Sequence, residues 1–159
     1  MTNASDTPSD GSSAPSDWEI KRAAHDRLRA ELQPCNKAAL FDALAVAGMT
    51  FIIVSFDGYG DSGQIEDIEV KAGDTVIPMP EGTIEIAEAL WDQSEPNRST
   101  ISIAAAIEHF VYELLTDTHC GWENNDGAYG DFTFDVAART ITLDYNERYT
   151  QSDYTQHIF

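Results

Sequence analysis

Hydrophobic residues recur along this chain at two spacings, and each spacing predicts an element. Ile20, Ala24, Leu28 and Leu32 follow one another at intervals of four, which makes a narrow helical stripe. Ser16 and Glu19 stand three apart at its start, the arrangement in which a cap hydroxyl and a returning carboxylate satisfy the first free amides. Pro34 is expected to end this helix, since its ring removes an amide donor and crowds the preceding turn. Asn36 then caps a second helix with Leu40, Phe41, Leu44 and Ala47 on one side, closed by Gly48.

Beyond residue 50 the period changes. Residues 51–56, Phe-Ile-Ile-Val-Ser-Phe, form a nearly continuous run of branched and aromatic side chains, the mark of a strand that is central in its sheet or buried on both faces. A returning strand over 65–71 completes a hairpin whose tip, 57–64, reads as long and glycine-rich. Val76-Ile77-Pro78-Met79-Pro80 is excluded from a sheet interior, because each proline lacks a ladder donor. Glu81, Glu85, Glu88 and Asp92 are spaced four, three and four apart, with Ile84, Ala87, Leu90 and Trp91 in the other register. That spacing predicts a helix with an acidic and an apolar stripe back to back.

A longer helix is expected over 99–116, where Ile103, Ile107, Phe110, Val111, Leu114 and Leu115 recur at three and four and leave His109 and Tyr112 on the other side. Phe132, Phe134 and Val136 alternate with polar residues, Ala137-Ala138-Arg139-Thr140 turn, and Ile141, Leu143 and Tyr145 alternate back, a hairpin of well-specified register. Tyr149, Tyr154, Ile158 and Phe159 make 148–159 too apolar for idle chain and predict that it folds back on the domain. The fold class is therefore α+β, an antiparallel sheet of about four strands built from two hairpins with helices packed on one face.

Composition sharpens the boundaries. Residues 1–16 hold no aromatic or large aliphatic side chain after Met1 and are expected to be a disordered tail, leaving 17–159 as a single α+β domain. The chain has 9 Lys and Arg against 28 Asp and Glu, a formal charge of −19. Residues 1–17 contribute −3, 18–50 contribute +1, and 51–159 contribute −17. A field of that sign repels phosphates and anionic lipid, so direct nucleic-acid binding and a membrane surface are excluded and a basic protein partner is favoured. No apolar run approaches the length of a membrane span. Two cysteines without a CxxC pair, and no basic, apolar leader, fit reduced thiols in the cytoplasm.

One phrase occurs twice. Asp57-Gly58-Tyr59-Gly60-Asp61 is echoed by Asp126-Gly127-Ala128-Tyr129-Gly130-Asp131, the second preceded by Gly121-Trp122-Glu123-Asn124-Asn125. Glycines allow left-handed backbone and close approach to a ligand, and Asp57, Tyr59, Asp61, Trp122, Glu123, Asn124, Asp126 and Tyr129 are the candidate binding residues. The string from Phe56 to Ile65, the string from Gly121 to Gly127 and Thr140-Ile141-Thr142-Leu143-Asp144 resemble a small bacterial family of unknown function, found mainly in proteobacteria and their plasmids. The likeness runs from Ala39 to Arg148. It implies a bacterial cytoplasmic protein that travels with mobile elements, and it supplies no catalytic residue.

The chemistry in the loops admits two readings. Neither loop has the EF-hand spacing, so no metal ligands are assigned, and a divalent cation on the loop oxygens is the one cofactor left open. His119, Cys120 and Glu123 fall short of the ligand set a closed zinc site needs. No GxSxG, phosphate-binding or dinucleotide-binding motif occurs, and catalytic residues stay unassigned. If the loops converge, Asp57, Asp61, Glu123 and Asp126 would make the carboxylate cluster of a small metal-dependent or carboxylate-based hydrolase, with His109 or His119 as general base. The reading the charge favours is not enzymatic: an acidic binding protein whose surface imitates nucleic acid or inhibits a basic partner, with the stripe 81–92 and the aspartate loops as contacts. A contact between two copies of the chain is a further use left open.

Overall fold

The computed structural model describes residues 14–159, so the expected tail lies outside the described residues except for its last three positions. The chain folds as α+β. Its elements are α1 (Asp17–Val46), β1 (Phe51–Tyr59), β2 (Ser62–Ala72), β3 (Thr75–Ile77), β4 (Thr83–Glu88), β5 (Asn97–Ser102), α2 (Ile103–Thr118), β6 (Ala128–Asp135) and β7 (Thr140–Glu147). Five strands form an antiparallel sheet in the order β3-β2-β1-β6-β7, and β4 pairs with β5 in a separate two-stranded sheet.

The first run of apolar residues is central, as its composition predicts. Ile52, Val54 and Phe56 of β1 face the helices together with Phe132 and Phe134 of β6 and Val70 of β2. Leu40, Phe41 and Leu44 of α1 and Ile107, Phe110, Val111 and Leu115 of α2 close over them. Ile84 and Ile86 of β4 complete this core from the side. Among the described residues, no helix covers the opposite face of the five-stranded sheet.

The expected break at Pro34 does not occur: one helix of 30 residues runs through it. A proline costs one hydrogen bond and some strain, while the flanks are held firmly. Ser16 and Glu19 form the reciprocal capping box, with bonds of 3.2 and 2.9 Å, and the turns after Pro34 are anchored by burial of Leu40, Phe41 and Leu44. Asn36 caps nothing. Its buried amide instead donates to Ala87 O (2.8 Å) and accepts from Ala87 N–H (2.9 Å), tying α1 to β4. Gly48 takes the left-handed conformation expected of a closing glycine (φ +78°).

The acidic helix expected over 81–92 is absent as well. Residues 83–88, Thr-Ile-Glu-Ile-Ala-Glu, are strand β4, with Ile84 and Ile86 buried and Thr83 and Glu85 exposed. The alternation of two outcompetes the four-three-four carboxylate spacing because β5 stands ready to pair with it, Ile84 opposite Ile101 and Ile86 opposite Ser99. The four carboxylates therefore do not share a helical face. For the same reason α2 starts later than its apolar period suggests, capped by Ser102, which accepts from Ala105 N–H at 3.1 Å. The sheet gains β3 as a short edge strand that stops before Pro78.

The β6–β7 hairpin has the expected register, Phe134 opposite Ile141 and Phe132 opposite Leu143. The segment after it is held to the domain at Arg148 and Thr150 but does not fold back beyond them. Tyr149, Tyr154, Ile158 and Phe159 are exposed, and 148–159 has no regular structure. Among the described residues no helix is long and apolar enough to cross a membrane, and Cys35 and Cys120 are both free and exposed.

Candidate functional site

The two glycine-aspartate loops meet. The first is a tight turn rather than the long tip expected: β1 runs to Tyr59, β2 starts at Ser62, and Gly60 and Asp61 between them are both left-handed (φ 58° and 67°), as two-residue hairpins require. Gly60 N–H donates to Asn125 O at 3.2 Å and Asp61 N–H to Glu123 O at 3.0 Å. Gly127, also left-handed (φ +79°), lies so close that a Cβ there would fall 1.7 Å from Gly58 O. Trp122, only 8% exposed, lays its ring over Gly58 and Gly63, where added Cβ atoms would fall 2.5 and 2.3 Å from ring carbons. The repeated glycines thus serve chain–chain and chain–indole contact.

The candidate residues divide accordingly. Trp122 belongs to the core, edge-to-face with Phe56 at 5.5 Å. Asp57 projects to the open side of the sheet and accepts from the Arg148 guanidinium at 2.8 Å, which also lies 4.5 Å from the Tyr129 ring centroid. Tyr59 and Tyr129 are exposed. Asp61 and Glu123 line a hollow of about 400 Å³ beside Tyr112. Asn124 and Asp126 line another, of about 270 Å³, with Asp126 accepting from Thr150 Oγ1 at 2.7 Å. Among the described residues no three His, Cys, Asp or Glu are placed to hold a metal ion. His119 stacks on Tyr145 with centroids 3.6 Å apart.

The open face continues from this end of the sheet. Strand register puts Asp67, Ser55, Asp131 and Asp144 in one row across β2, β1, β6 and β7. The row on one side holds Glu69, Ile53, Thr133 and Thr142; the row on the other holds Gln64, Asp57, Tyr129 and Asn146. Asp67, Asp131 and Asp144 are exposed, and Ser55 Oγ donates to Asp131 at 2.8 Å. Lys71 pairs with Glu69 at 3.8 Å and Arg148 with Asp57, so these two bases sit beside acids of their own. Asp67, Asp131 and Asp144 have no ion-pair partner among the described residues. Directly opposite side chains on neighbouring strands lie about 5 Å apart, which makes this row a compact negative ridge.

A third feature escapes the sequence reading. Between α1, α2 and the end of β4 lies a cleft of about 440 Å³ lined by His25, Arg29, Asn36, Glu88, His109 and Glu113, among others. Glu113 accepts from His109 Nε2 at 3.0 Å and from Gln33 at 3.2 Å, with Arg29 at 3.6 Å. Arg29 also pairs with Asp117 at 2.8 Å, and Glu88 lies 3.5 Å from His109 Nδ1. The Glu113 hydrogen bond holds the His109 imidazole above its usual range, against partial burial and the charge of Arg29. The same bond, helped by Arg29, holds Glu113 below the usual carboxylate range. His25 Nδ1 is buried without a partner among the described residues, and its ring rests 5.8 Å from Trp91. The cleft is lined by none of Asp57, Asp61, Glu123 and Asp126, so His109 stands apart from the loop carboxylates. Its pairing with Glu113 was the legible signal, four residues apart on one helix.

A family-wide sequence pattern matches residues 32–159. The chain belongs to DUF6878, a family of unknown function. No curated protein and no solved structure matches it. The DUF6878 region takes in both loops, the open sheet face, α2 and the segment after β7, and it extends past the span of the sequence resemblance at both ends. It leaves out the first half of α1. Of the cleft residues, Asn36, Glu88, His109 and Glu113 fall inside the DUF6878 match, whereas His25 and Arg29 precede it.

Proposed function

We propose that this protein is a binding protein that presents the helix-free face of its five-stranded sheet to a basic protein partner, in the manner of an inhibitor or a nucleic-acid mimic. The observation that carries the reading is the ridge Asp67, Asp131 and Asp144, exposed on the sheet and without counter-charges among the described residues. Carboxylates held at fixed strand spacings need no ordering on binding, and their field steers a cationic surface toward them. Tyr59, Tyr129 and Phe51, also exposed on this face, supply the apolar contact that charge alone lacks. The helical stripe that first suggested a contact surface has no part in it.

A charge-matched comparison tests the reading. The probe is a fluorescent oligoarginine peptide, its binding followed by anisotropy at low and moderate salt. The variant Asp67→Lys, Asp131→Lys, Asp144→Lys is set against Glu31→Lys, Glu81→Lys, Glu95→Lys, which changes net charge equally at exposed sites elsewhere. The sheet variant is expected to lose about tenfold or more in affinity at low salt, and the control little. Equal losses would reduce the effect to net charge and end the proposal.

A further inference from the structure

The two edges of the five-stranded sheet are unlike. On one side β3 is three residues long and is followed by Pro78 and Pro80, devices that blunt an edge against pairing. On the other side β7 is eight residues long, Thr-Ile-Thr-Leu-Asp-Tyr-Asn-Glu, with neither lysine nor proline. Arg148 N–H bonds to Gly127 O. Bonded pairs in an antiparallel ladder alternate, so the amides of Thr142, Asp144 and Asn146 face β6 and those of Ile141, Leu143 and Tyr145 face outward. Beside this edge lies an apolar groove of about 370 Å³ formed by Pro34, Phe110, Leu114 and Ile141, with Lys37 its one charged wall residue.

The same chain carries a segment suited to both. Tyr154, Ile158 and Phe159 are 84%, 89% and 113% exposed, a concentration of apolar surface that folded chains ordinarily cover. Residues 151–159 contain no glycine or proline, and Tyr154 and Ile158, four apart, share one side of an extended strand. Asp153 is the only acid in 149–159, so the segment adds little to the negative charge that keeps two copies apart. The DUF6878 match runs through residue 159. Three bonds steer the segment away from its own β7: Arg148 to Asp57, Arg148 N–H to Gly127 O, and Thr150 to Asp126. They lead it on past the 121–127 loop instead of back along the edge.

We propose that residues 149–159 of one copy dock as an added strand along β7 of a second copy, with Tyr154 and Ile158 in the groove beside Ile141. Backbone bonds to the outward amides supply affinity and the groove supplies selectivity, as in other strand-addition contacts. Each copy carries a charge of −19, so added salt screens repulsion and tightens this contact. Salt has the opposite effect on docking of a basic partner to the sheet face, which keeps the two proposals distinguishable.

The test uses the full chain. Light scattering or sedimentation over a range of concentrations should show passage from one chain to two, with a dissociation constant that falls as salt rises. Tyr154→Asp with Ile158→Asp should weaken association about tenfold or more. Gln156→Pro, which removes a ladder donor from the segment without touching the body, should do the same. Hydrogen exchange should show protection of the outward amides of Ile141, Leu143 and Tyr145 that dilution removes. A single-chain mass at every concentration would overturn the proposal. So would a dimer that both variants leave intact, or protection of the Ile141, Leu143 and Tyr145 amides that persists on dilution, which would place the segment on its own edge.

Discussion

At the scale of single residues, His109 and Glu113 show how a pair legible in one helix acquires meaning from another. Their spacing on α2 is local, but Gln33, 80 residues away in sequence, and Arg29 come from α1 and make the half-buried carboxylate a hub. Glu113 lifts His109 above its ordinary value of 6.5, and His109 lowers Glu113 below 4.5. A raised histidine contributes stability below its unfolded value and loses it as pH climbs through the folded one. A lowered carboxylate contributes above its unfolded value and loses it as pH falls through the folded one. Both contributions are therefore present together between those two ordinary values. Replacing His109 by Gln should destabilise the protein more at about pH 5.5 than at about pH 8.5, as measured by urea unfolding of variant and parent at each pH. A difference independent of pH would mean that the imidazolium is not what holds the cleft together. The glycines teach a related lesson: Gly127 is demanded by Gly58 O, and Gly58 and Gly63 by the indole of Trp122, none of them a neighbour in sequence.

Among the elements, those whose pattern was unopposed were legible. The alternation in β6 and β7, the dense apolar run of β1 and the broad stripe of α2 each admit one period. Residues 81–92 admit two, and pairing with β5 decides for the strand. Pro34 does not end the helix because propensity is a local quantity, whereas the helix on either side is held by a capping box and by the core. The joint between α1 and β4 was invisible for the same reason, since Asn36 and Ala87 are 51 residues apart. That joint is testable. Asn36→Ala leaves the N–H and C=O of Ala87 buried and unpaired, and should cost about 2–4 kcal/mol, with faster hydrogen exchange across 84–87 than in the five-stranded sheet. A loss well under about 1 kcal/mol would show that β4 is held by Ile84 and Ile86 alone.

For the whole molecule, charge is the dominant quantity. With −19 on 159 residues, self-repulsion opposes the compact state, and cross-element pairs such as Arg29–Asp117, Lys21–Asp92 and Arg139–Asp42 relieve it only locally. Raising salt from about 0.02 M to about 0.5 M, which shrinks the screening length to a few ångströms, should therefore raise the melting temperature by several degrees in calorimetry. A melting temperature that falls would mean that the ion pairs outweigh the repulsion. The amino-acid sequence by itself determined the amount of charge, the α+β class, the central strand, the second hairpin and the membership in DUF6878, because each is a property of composition or of neighbours within one period. The tertiary structure decided where that charge is displayed, that the two loops close on one another, and that α1 brings Arg29 to His109 and Glu113. It did so because strand register and helix docking are settled by burial between distant segments, and that free energy is written in no short stretch of the chain.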